Sequence, residues 1–325
     1  MVPSSRSTSM LRRLSIPGVL AATLCAAVVV AGASPASADP AYSVSTGTLA
    51  AALDCPASFT HTSHEPVLLV HGTTSTYSEA WGWNYADALT AAGFDVCGVD
   101  LPARAMNDIQ VASEYVVYAI RHMYDQNDIK VDVIGHSQGN LEIRWAVKYW
   151  PSLQDQVDDA VLLASPNDGV TAGDLVCAFP CAAAASQMTT SSNFLDALND
   201  GDKTPGSVSY TSIYSSSDLL VPSASAALDT ATNIRLQDVC SGNIASHVGL
   251  VYEALPYLLS LDALTNTGTA SPSRLPSNKC SQVYAPTVTL LDVTLNVALI
   301  AANFAAQALL STKVNSEPTL MAYAT

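Results

Sequence analysis

Basic side chains are scarce in this chain. Lysine and arginine together number 13 against 28 aspartates and glutamates, and charged residues make up only 13% of the sequence. The formal net charge of -15 excludes nucleic-acid binding, because few cations are present to neutralise phosphates. It also disfavours electrostatic docking on anionic membranes. Any contact with lipid must therefore depend on apolar surface.

Internal repeats are also absent, and 49% of the residues are hydrophobic, which suffices for one large core of roughly 250–300 residues. Residues 1–38 are predicted to lie outside that core. They combine arginines near the start, a run of small apolar residues over 19–32 and an Ala-Ser-Ala cleavage site at 36–38. This pattern indicates a secretory signal peptide, followed by a single extracellular domain over 39–325 without a membrane span.

No histidine lies near Cys177 or Cys181, which disfavours a metal site at this closely spaced pair. Cleavage after residue 38 leaves six cysteines, and an even number in a secreted chain indicates three disulfides. Sequential pairing is the simplest expectation, although the sequence alone leaves other pairings open. The predicted bonds are Cys55–Cys97, Cys177–Cys181 and Cys240–Cys280. No metal ion is therefore expected at Cys177 and Cys181.

Strands alternate with helices through most of the chain, which predicts βαβ units and a mostly parallel sheet. Short apolar runs predict strands over 67–70, 94–99, 131–134, 160–164, 210–214 and 234–239. Periodic or capped stretches predict helices over 83–92, 108–124, 141–149, 250–259 and 290–310. The long, irregular stretch 171–205 is typical of a lid or binding loop. Because helix 290–310 carries a polar stripe, we expect it to lie on an apolar surface rather than to span a membrane.

One serine lies between two glycines on an abrupt turn from strand to helix. The sequence Gly135-His136-Ser137-Gln138-Gly139 follows a predicted strand and precedes a predicted helix, as the nucleophile elbow of α/β-hydrolases requires. The serine of such an elbow has a strained backbone, and the glycines leave room where helix and strand pass closely. The helix amino terminus supplies amide donors for a developing anion. Ser137 is therefore the candidate nucleophile.

A serine nucleophile needs a histidine base, which an acid in turn orients. In this fold the chain order is Ser, Asp or Glu, His, and His247 is the only histidine that follows Ser137. Asp218 is the preferred acid, because it follows the strand predicted over 210–214. Other aspartates stay open as alternatives, although their polar loop sequence indicates that most are solvated: Asp168, Asp174, Asp196, Asp200, Asp202, Asp229 and Asp238.

Two backbone amides are expected to form an oxyanion hole. One belongs to Gln138, which follows the nucleophile, and the other to the loop after strand 67–70, where Thr73 adds a hydroxyl. We interpret His71 of that loop as structural. The substrate pocket is expected to be lined by His136, Thr74 and Asn167.

Further stretches of the chain match a known family. They span almost the entire chain after the signal peptide: 66–73, 106–111, 114–115, 137–139, 214–222 and 317–324. With them the chain resembles the Candida antarctica lipase B-like family of secreted lipases and esterases. The resemblance implies an α/β-hydrolase fold with a mostly parallel central sheet, flanking helices and a lid-like insertion over about 171–205. It also implies the disulfides Cys55–Cys97 and Cys240–Cys280, and a C-terminal helix, 290–310, at the substrate entrance.

By position, the resemblance implies a triad and an oxyanion hole formed by Ser137, Asp218, His247, Thr73 and Gln138. Two departures stand out. Where the family lipase has tryptophan before the nucleophile, this chain has His136, which leaves the alcohol preference open. The Cys177–Cys181 pair is an addition within the lid-like segment.

The implied activity is hydrolysis of acylglycerols or other carboxylic esters through an acyl-enzyme, and the resemblance implies that it needs no metal ion or cofactor. The substrate would be an ester or lipid, met at a lipid–water interface, and the protein is expected to act as a monomer. An acyltransferase or a polyester or cutin hydrolase would use the same triad. A catalytically silent binding protein on the same fold is disfavoured, because no triad member is missing.

Overall fold

Seven β-strands form one central sheet in the part of the chain that this computed structural model describes, residues 38–60 and 63–325. The strands are β1 (Leu53–Asp54), β2 (Val67–Val70), β3 (Val96–Val99), β4 (Val131–His136), β5 (Val157–Leu163), β6 (Ser209–Tyr214) and β7 (Thr232–Arg235). Their spatial order is β1-β3-β2-β4-β5-β6-β7, and every pair is parallel except β1 with β3. The predicted, mostly parallel sheet is confirmed. The predicted signal peptide lies outside the described residues, apart from Ala38.

Helices connect most of the strands, as βαβ units require. Over the described residues they are α1 (Thr46–Ala51), α2 (Tyr77–Trp81), α3 (Tyr85–Ala91), α4 (Ile109–Asn127), α5 (Gly139–Tyr149), α6 (Leu153–Gln156), α7 (Thr171–Val176), α8 (Ala183–Gln187), α9 (Asn193–Asn199), α10 (Ser223–Ala226), α11 (Leu236–Val239), α12 (Ala254–Leu264) and α13 (Leu290–Leu310). Asp108 caps α4, since its side chain accepts a hydrogen bond from the amide of Gln110.

The two faces of the sheet are covered by separate apolar clusters. Along β2, Leu68 and Val70 pack in a cluster with residues of α4 and α5, whereas Val67 and Leu69 pack with residues of α3 and α12. This alternation follows from the two-residue period of a strand. Because both faces are covered, the strand is an unbroken apolar run in the sequence, which is typical of buried parallel sheets.

Several predicted elements differ by one to three residues at an end, and two differ more. The strand predicted over 234–239 ends at Arg235, and Leu236–Val239 is the helical turn α11, because periodicity cannot separate a short apolar strand from a helical turn. The helix predicted over 250–259 is α12, which begins at Ala254 and continues to Leu264. Pro256 explains the late start, since proline lacks an N–H and is tolerated in the first helical turn but not deeper.

The lid-like segment 171–205 contains three short helices, α7, α8 and α9. Its second half is anchored, because Phe194 and Leu195 are buried in the cluster that includes α5. Its first part is open, and both Leu175 and Phe179 are 78% exposed. Any lid-like motion would therefore involve the first part of the segment rather than its full length.

Helix α13 has the predicted bounds, and among the described residues it alone is long and apolar enough to cross a membrane. None of its residues is fully buried. Its half-covered side carries the polar stripe Asp292, Asn296, Asn303 and Gln307, whereas all six of its leucines face outward: Leu290, Leu291, Leu295, Leu299, Leu309 and Leu310. Within the described part of the chain, the outward-facing leucines of α13 are thus left exposed.

Three disulfides confirm the sequential pairing: Cys55–Cys97, Cys177–Cys181 and Cys240–Cys280. The bond between Cys177 and Cys181 closes the open part of the lid-like segment. Cys181 also pairs with Val314, just beyond α13, through two backbone hydrogen bonds of 3.2 and 2.7 Å. The lid-like segment and the end of α13 are therefore fastened to one another.

Candidate active site

Ser137 lies on the tight turn between β4 and α5. Its φ is 55°, in the left-handed region that costs an L-residue roughly 1–2 kcal/mol. Close passage of the chain explains the flanking glycines: a Cβ on Gly135 would lie 2.3 Å from Asn140 Oδ1, and one on Gly139 would lie 2.6 Å from the His71 carbonyl oxygen. The strained turn presents the serine at the carboxyl end of β4.

Loops after β6 and β7 bring Asp218 and His247 together. His247 Nδ1 lies 2.7 Å from Asp218 Oδ2, and Asp218 Oδ1 accepts hydrogen bonds from the amides of Leu220 (2.8 Å) and Val221 (3.0 Å). Burial by itself would raise the pKa of Asp218, but the imidazole and the two amides outweigh it and hold the pKa below its ordinary value. The ionised carboxylate therefore holds the Nδ1 proton and leaves Nε2 free to accept another.

Ser137 and His247 line one cavity of about 400 Å³. Both reach it because the parallel strands β4 and β7 end at the same edge of the sheet, where α/β proteins bind their ligands. Asp218 is the aspartate that contacts His247, so the structure favours it over the alternatives that the sequence left open.

The loop after β2 runs directly beside the elbow. A Cβ on Gly72 would lie 2.9 Å from the His136 carbonyl oxygen and 3.0 Å from Ser137 Cβ, so only glycine permits this approach. Thr73 Oγ1 donates a hydrogen bond of 2.7 Å to Gln138 Oε1. Gln138 is the N-cap of α5, where backbone amides and the helix dipole favour an anion. The two residues expected to form the oxyanion hole are thus neighbours.

His71 and Thr74 fix the same loop from both sides. His71 Nε2 accepts a hydrogen bond from the Leu101 amide (3.0 Å), which leaves Nδ1–H to donate to the Gly72 carbonyl oxygen (2.9 Å). Burial lowers the pKa of His71, so the ring stays neutral and its role is structural. Thr74, with a φ of 68°, donates its amide to the Arg104 carbonyl oxygen at 2.8 Å.

Arg104 belongs to a left-handed turn, residues 103–105, between β3 and α4. Ala103, Arg104 and Ala105 have φ values of 49°, 59° and 60°, although none is a glycine. Arg104 Nε donates to the Thr74 carbonyl oxygen at 3.0 Å, and the Ala105 carbonyl oxygen accepts from Gln138 Nε2 at 2.9 Å. Strain of this kind persists where the surroundings over-determine it, often at functional sites. The left-handed turn supports both the loop after β2 and the elbow.

His136 packs against His247. Its Nε2–H donates to the His247 carbonyl oxygen at 2.9 Å, and the two ring centroids are 4.7 Å apart. Burial lowers the pKa of His136 to about 3. The ring is therefore neutral, and it adds no charge beside the imidazole that would carry the proton.

Two largely apolar cavities meet at Ser137. The smaller, of about 180 Å³, extends between Val170 and Met188 toward the lid-like segment. The larger, of about 400 Å³, extends between Val251 and Ile300 toward α13. An ester carbonyl at Ser137 would have one apolar space for its acyl chain and another for its alcohol.

Thr74 and His136 line these cavities, but Asn167 does not. Asn167 is only 1% exposed, and its Oδ1 accepts hydrogen bonds from Arg144 Nη1 (3.1 Å) and Ser165 Oγ (2.7 Å). A buried guanidinium needs such acceptors. The expectation that Asn167 contacts substrate is therefore corrected: it supports the fold behind the pocket.

The sequence did not reveal several residues of the site. Leu220 and Phe304 line both cavities, and Glu142 is a fully buried acid one helical turn beyond the elbow. The sequence does contain an indication for Leu220, since an apolar residue in the polar loop that carries Asp218 is a candidate for the pocket lining. Phe304 had none, because it is one apolar residue among many on α13.

Three aspartates form a group, within the described residues, that is able to hold a metal ion. One oxygen from each of Asp132, Asp158 and Asp159 lies within 4.8 Å of the other two. The group lies at the amino ends of β4 and β5, opposite the edge that carries Ser137. Lys130 Nζ already pairs with Asp158 at 3.1 Å. These carboxylates take no part in chemistry at Ser137.

Asp159 gives the protein a stability that depends on pH. Burial first, and then the charges of Asp158 and Glu65, raise the pKa of Asp159 to about 8. In the unfolded chain this proton leaves near pH ~4, so stability falls as pH rises from about 4 to about 8. At pH 8, Asp159→Asn should restore the free energy of unfolding that is lost when the buried carboxyl ionises, and each kcal/mol restored should raise Tm by about 2–4 °C. At pH 4, where the carboxyl is neutral, the substitution should change Tm little. Calorimetry at both pH values checks this, and an equal offset at the two would contradict it.

Serine, histidine and aspartate thus reach one edge of a mostly parallel, helix-flanked sheet from the ends of three strands. That fold and that site define an α/β-hydrolase. The model of the family "Lipase (class 2)" matches residues 64–248, more than half of the chain, and the chain therefore belongs to the class 2 lipase family.

Individual relatives agree with this assignment. Lipase B of Pseudozyma antarctica is 31% identical over 327 residues, which cover 97% of this chain and 95% of that protein. The crystal structure of Aspergillus fumigatus lipase B shows 32% identity and a TM-score of 0.83, covering 89% of this chain and 74% of that one. Bacillus licheniformis lipase BlEst2 in its propeptide form has 18% identity and a TM-score of 0.56, covering 67% and 54%, and shares the fold alone. The family resemblance seen in the sequence is confirmed, and the protein is a lipase or carboxylic ester hydrolase.

Proposed function

We propose that the protein is a secreted serine lipase or carboxylesterase that cleaves acylglycerols or other carboxylic esters through an acyl-enzyme on Ser137. One observation carries the proposal: His247, bonded to Asp218 at 2.7 Å, shares a cavity with a serine on a strained elbow. Since Asp218 keeps Nδ1 protonated, Nε2 is the nitrogen that is left to take the serine proton.

In the acylation step, His247 Nε2 takes the Ser137 proton while Oγ forms a bond to the ester carbonyl carbon. The amides of Thr73 and Gln138 and the Thr73 hydroxyl stabilise the negative charge on the carbonyl oxygen. His247 then gives the proton to the alcohol oxygen, the C–O bond breaks and the alcohol leaves.

In the deacylation step, water replaces the alcohol. His247 takes a proton from water as the water oxygen attacks the acyl carbon, and the same amides hold the second oxyanion. His247 returns the proton to Ser137 Oγ, the acyl–oxygen bond breaks and the carboxylic acid is released. The histidine thus shuttles one proton in each half of the cycle.

The two cavities support an ester that is apolar on both sides of its carbonyl. We assign the acyl chain to the smaller cavity beside the lid-like segment. The alcohol group then occupies the larger cavity, where His136 forms part of the wall. The family lipase has a tryptophan at this position. The neutral imidazole of His136 is smaller than an indole ring and leaves the alcohol group more space, with a polar ring nitrogen beside it.

Helix α13 supports an encounter with lipid. Its outward face is apolar, and its leucines Leu290, Leu309 and Leu310 are 67%, 83% and 77% exposed. Exposed apolar patches beside a site indicate contact with apolar partners. The chain has too few cations for an electrostatic approach, so this face would carry the contact. Three disulfides suit the oxidising extracellular environment in which we place the protein.

The test is hydrolysis of p-nitrophenyl esters from acetate to palmitate, below and above their solubility limits, with Ser137→Ala as control. We expect turnover that depends on Ser137 and increases when long-chain esters form an emulsion. Leu295→Ser with Leu299→Ser should lower the rate on emulsified palmitate by about tenfold and leave soluble butyrate unchanged. Full burial of one leucine is worth ~1.5–3 kcal/mol, and a tenfold loss, about 1.4 kcal/mol, corresponds to partial burial of the two side chains in lipid.

The matched control for α13 is Val283→Ser, at an exposed apolar residue outside that helix. Equal losses on soluble and emulsified esters would contradict a lipid-facing role of α13. No Ser137-dependent turnover on any ester, with no labelling of Ser137 by a phosphonate, would overturn the hydrolase proposal itself. A catalytically inactive binding protein on the same fold would then be the better hypothesis.

A further inference from the structure

Glu142 on α5 is a buried acid that the chemistry above does not use. It has no solvent exposure. Its Oε1 accepts a hydrogen bond from Gln138 Nε2 at 2.7 Å, and its Oε2 makes no hydrogen bond within the described part of the chain. We propose that Glu142 is a positioning residue of the oxyanion hole, which acts through the carboxamide of Gln138 on the hydroxyl of Thr73. This inference rests on the proposed function.

The Gln138 carboxamide is held by three hydrogen bonds. Nε2 donates to Glu142 Oε1 (2.7 Å) and to the Ala105 carbonyl oxygen (2.9 Å), while Oε1 accepts from Thr73 Oγ1 (2.7 Å). If the carboxamide were flipped, its oxygen would face the Ala105 carbonyl oxygen, which can only accept, and that carbonyl oxygen would be left buried without a donor. The Ala105 carbonyl oxygen therefore sets the orientation in which the oxygen of Gln138 points to Thr73, and Glu142 Oε1 holds the carboxamide there.

A fixed carboxamide oxygen gives the Thr73 hydroxyl a defined resting position. Thr73 lines both cavities beside Ser137, so its hydroxyl is close to where the ester carbonyl must bind. When the oxyanion forms, the hydroxyl hydrogen can turn from a neutral amide oxygen to a charged oxygen, which is the stronger acceptor. A donor held ready in this way costs little reorganisation in the transition state.

The charge of Glu142 is compatible with this role. Burial raises the pKa of Glu142 to about 8, so the acid is mostly protonated near neutral pH. The proton belongs on Oε2, because Oε1 accepts the hydrogen bond from Gln138. A neutral acid can orient Gln138 without placing negative charge next to a developing oxyanion, which an ionised carboxylate would oppose.

The first experiment compares Glu142→Leu with Glu142→Gln in the full chain, using p-nitrophenyl butyrate and a phosphonate to count active sites. Glu142→Leu removes the acceptor, and we expect kcat to fall by roughly tenfold with KM changed by less than about twofold, since only a transition-state contact weakens. Glu142→Gln restores an acceptor oxygen, so kcat should return to within about threefold of the parent protein.

A double-mutant cycle with Thr73→Val tests the route of the effect. If Glu142 acts through the Thr73 hydroxyl, Glu142→Leu should cost less than about twofold in kcat once that hydroxyl is gone. A merely structural role would give the same loss on both backgrounds. Gln138→Leu keeps the backbone amide but removes the carboxamide. If Glu142→Leu fails to fold, the loss in kcat of Gln138→Leu, measured with and without Thr73→Val, tests the same route.

Arg144→Leu is the matched control, because Arg144 is equally buried on α5 but bonds to Asn167 and Asn199 instead. It should lower Tm and leave kcat per active site unchanged. Parent-like kcat in Glu142→Leu and Gln138→Leu, or losses that add to that of Thr73→Val, would overturn the inference about Glu142. A parent protein without Ser137-dependent turnover would overturn the proposed function instead, so the two failures are distinct.

Discussion

Replacement of His247 by alanine is expected to lower kcat on soluble esters by roughly 10⁶-fold. His247 moves the proton in every step of the proposed cycle, and its Nδ1 is committed to Asp218 at 2.7 Å. Without the imidazole, the Ser137 hydroxyl has no base and is a weak nucleophile at neutral pH. The measurement is kcat with p-nitrophenyl butyrate, at enzyme concentrations high enough to detect the residual rate.

The control for that variant is His122→Ala, because His122 is a partly exposed histidine of α4 that bonds to Gln126. It should keep full activity. The residual rate of His247→Ala should still exceed the uncatalysed rate, since the oxyanion donors remain. Retention of more than ~1% of the parent activity by His247→Ala would remove His247 from the role of general base.

Asp218→Asn is expected to lower kcat by roughly 10⁴-fold. The amides of Leu220 and Val221 both donate to Asp218 Oδ1, so an asparagine must keep its oxygen on that side. Its NH₂ group then faces His247 Nδ1 and can only donate to it. The imidazole is driven to the tautomer that carries its proton on Nε2, and that nitrogen can no longer accept the serine proton.

Asp168→Asn is the comparison, since Asp168 is one of the aspartates that the sequence left open as the acid. Its carboxylate accepts from Asn199 rather than from an imidazole, so we expect kcat to stay within about threefold of the parent value. Steady-state kinetics on one soluble ester suffices. Full activity in Asp218→Asn together with a large loss in Asp168→Asn would reassign the acid of the triad.

The proposed nucleophile and the proposed base stand out in the sequence because their signals are local or ordered along the chain. Glycines at 135 and 139 mark a close chain approach around Ser137, and a single histidine follows it. The structural role of Asn167 could not be predicted in the same way, because it depends on which residues, distant in sequence, hydrogen-bond to its carboxamide. Arg144 and Ser165 donate hydrogen bonds to its oxygen in the protein interior, and no short sequence pattern shows this.

Helix α5 and helix α13 show where amphipathic patterns cease to be informative. A glutamate at position 142, among other polar residues of α5, suggests an exposed helix face, yet tertiary packing covers it completely. On α13, the spacing of Asp292, Asn296, Asn303 and Gln307 correctly predicts one polar side. It cannot predict that this side faces the protein and leaves all six leucines outside. Periodicity indicates that two faces exist, but the surroundings decide which one is inward.

The left-handed turn at Ala103, Arg104 and Ala105 has a consequence for how the protein responds to heat. Each such residue costs roughly 1–2 kcal/mol of local backbone energy, and hydrogen bonds to Thr74 and Gln138 hold the turn in place. Relaxation of the turn would release both residues while the apolar clusters on the two faces of the sheet stay packed. Such local openings require less free energy than global unfolding. On warming, esterase activity should therefore be lost at temperatures below the Tm, where the core is still folded. Cooling should restore this activity.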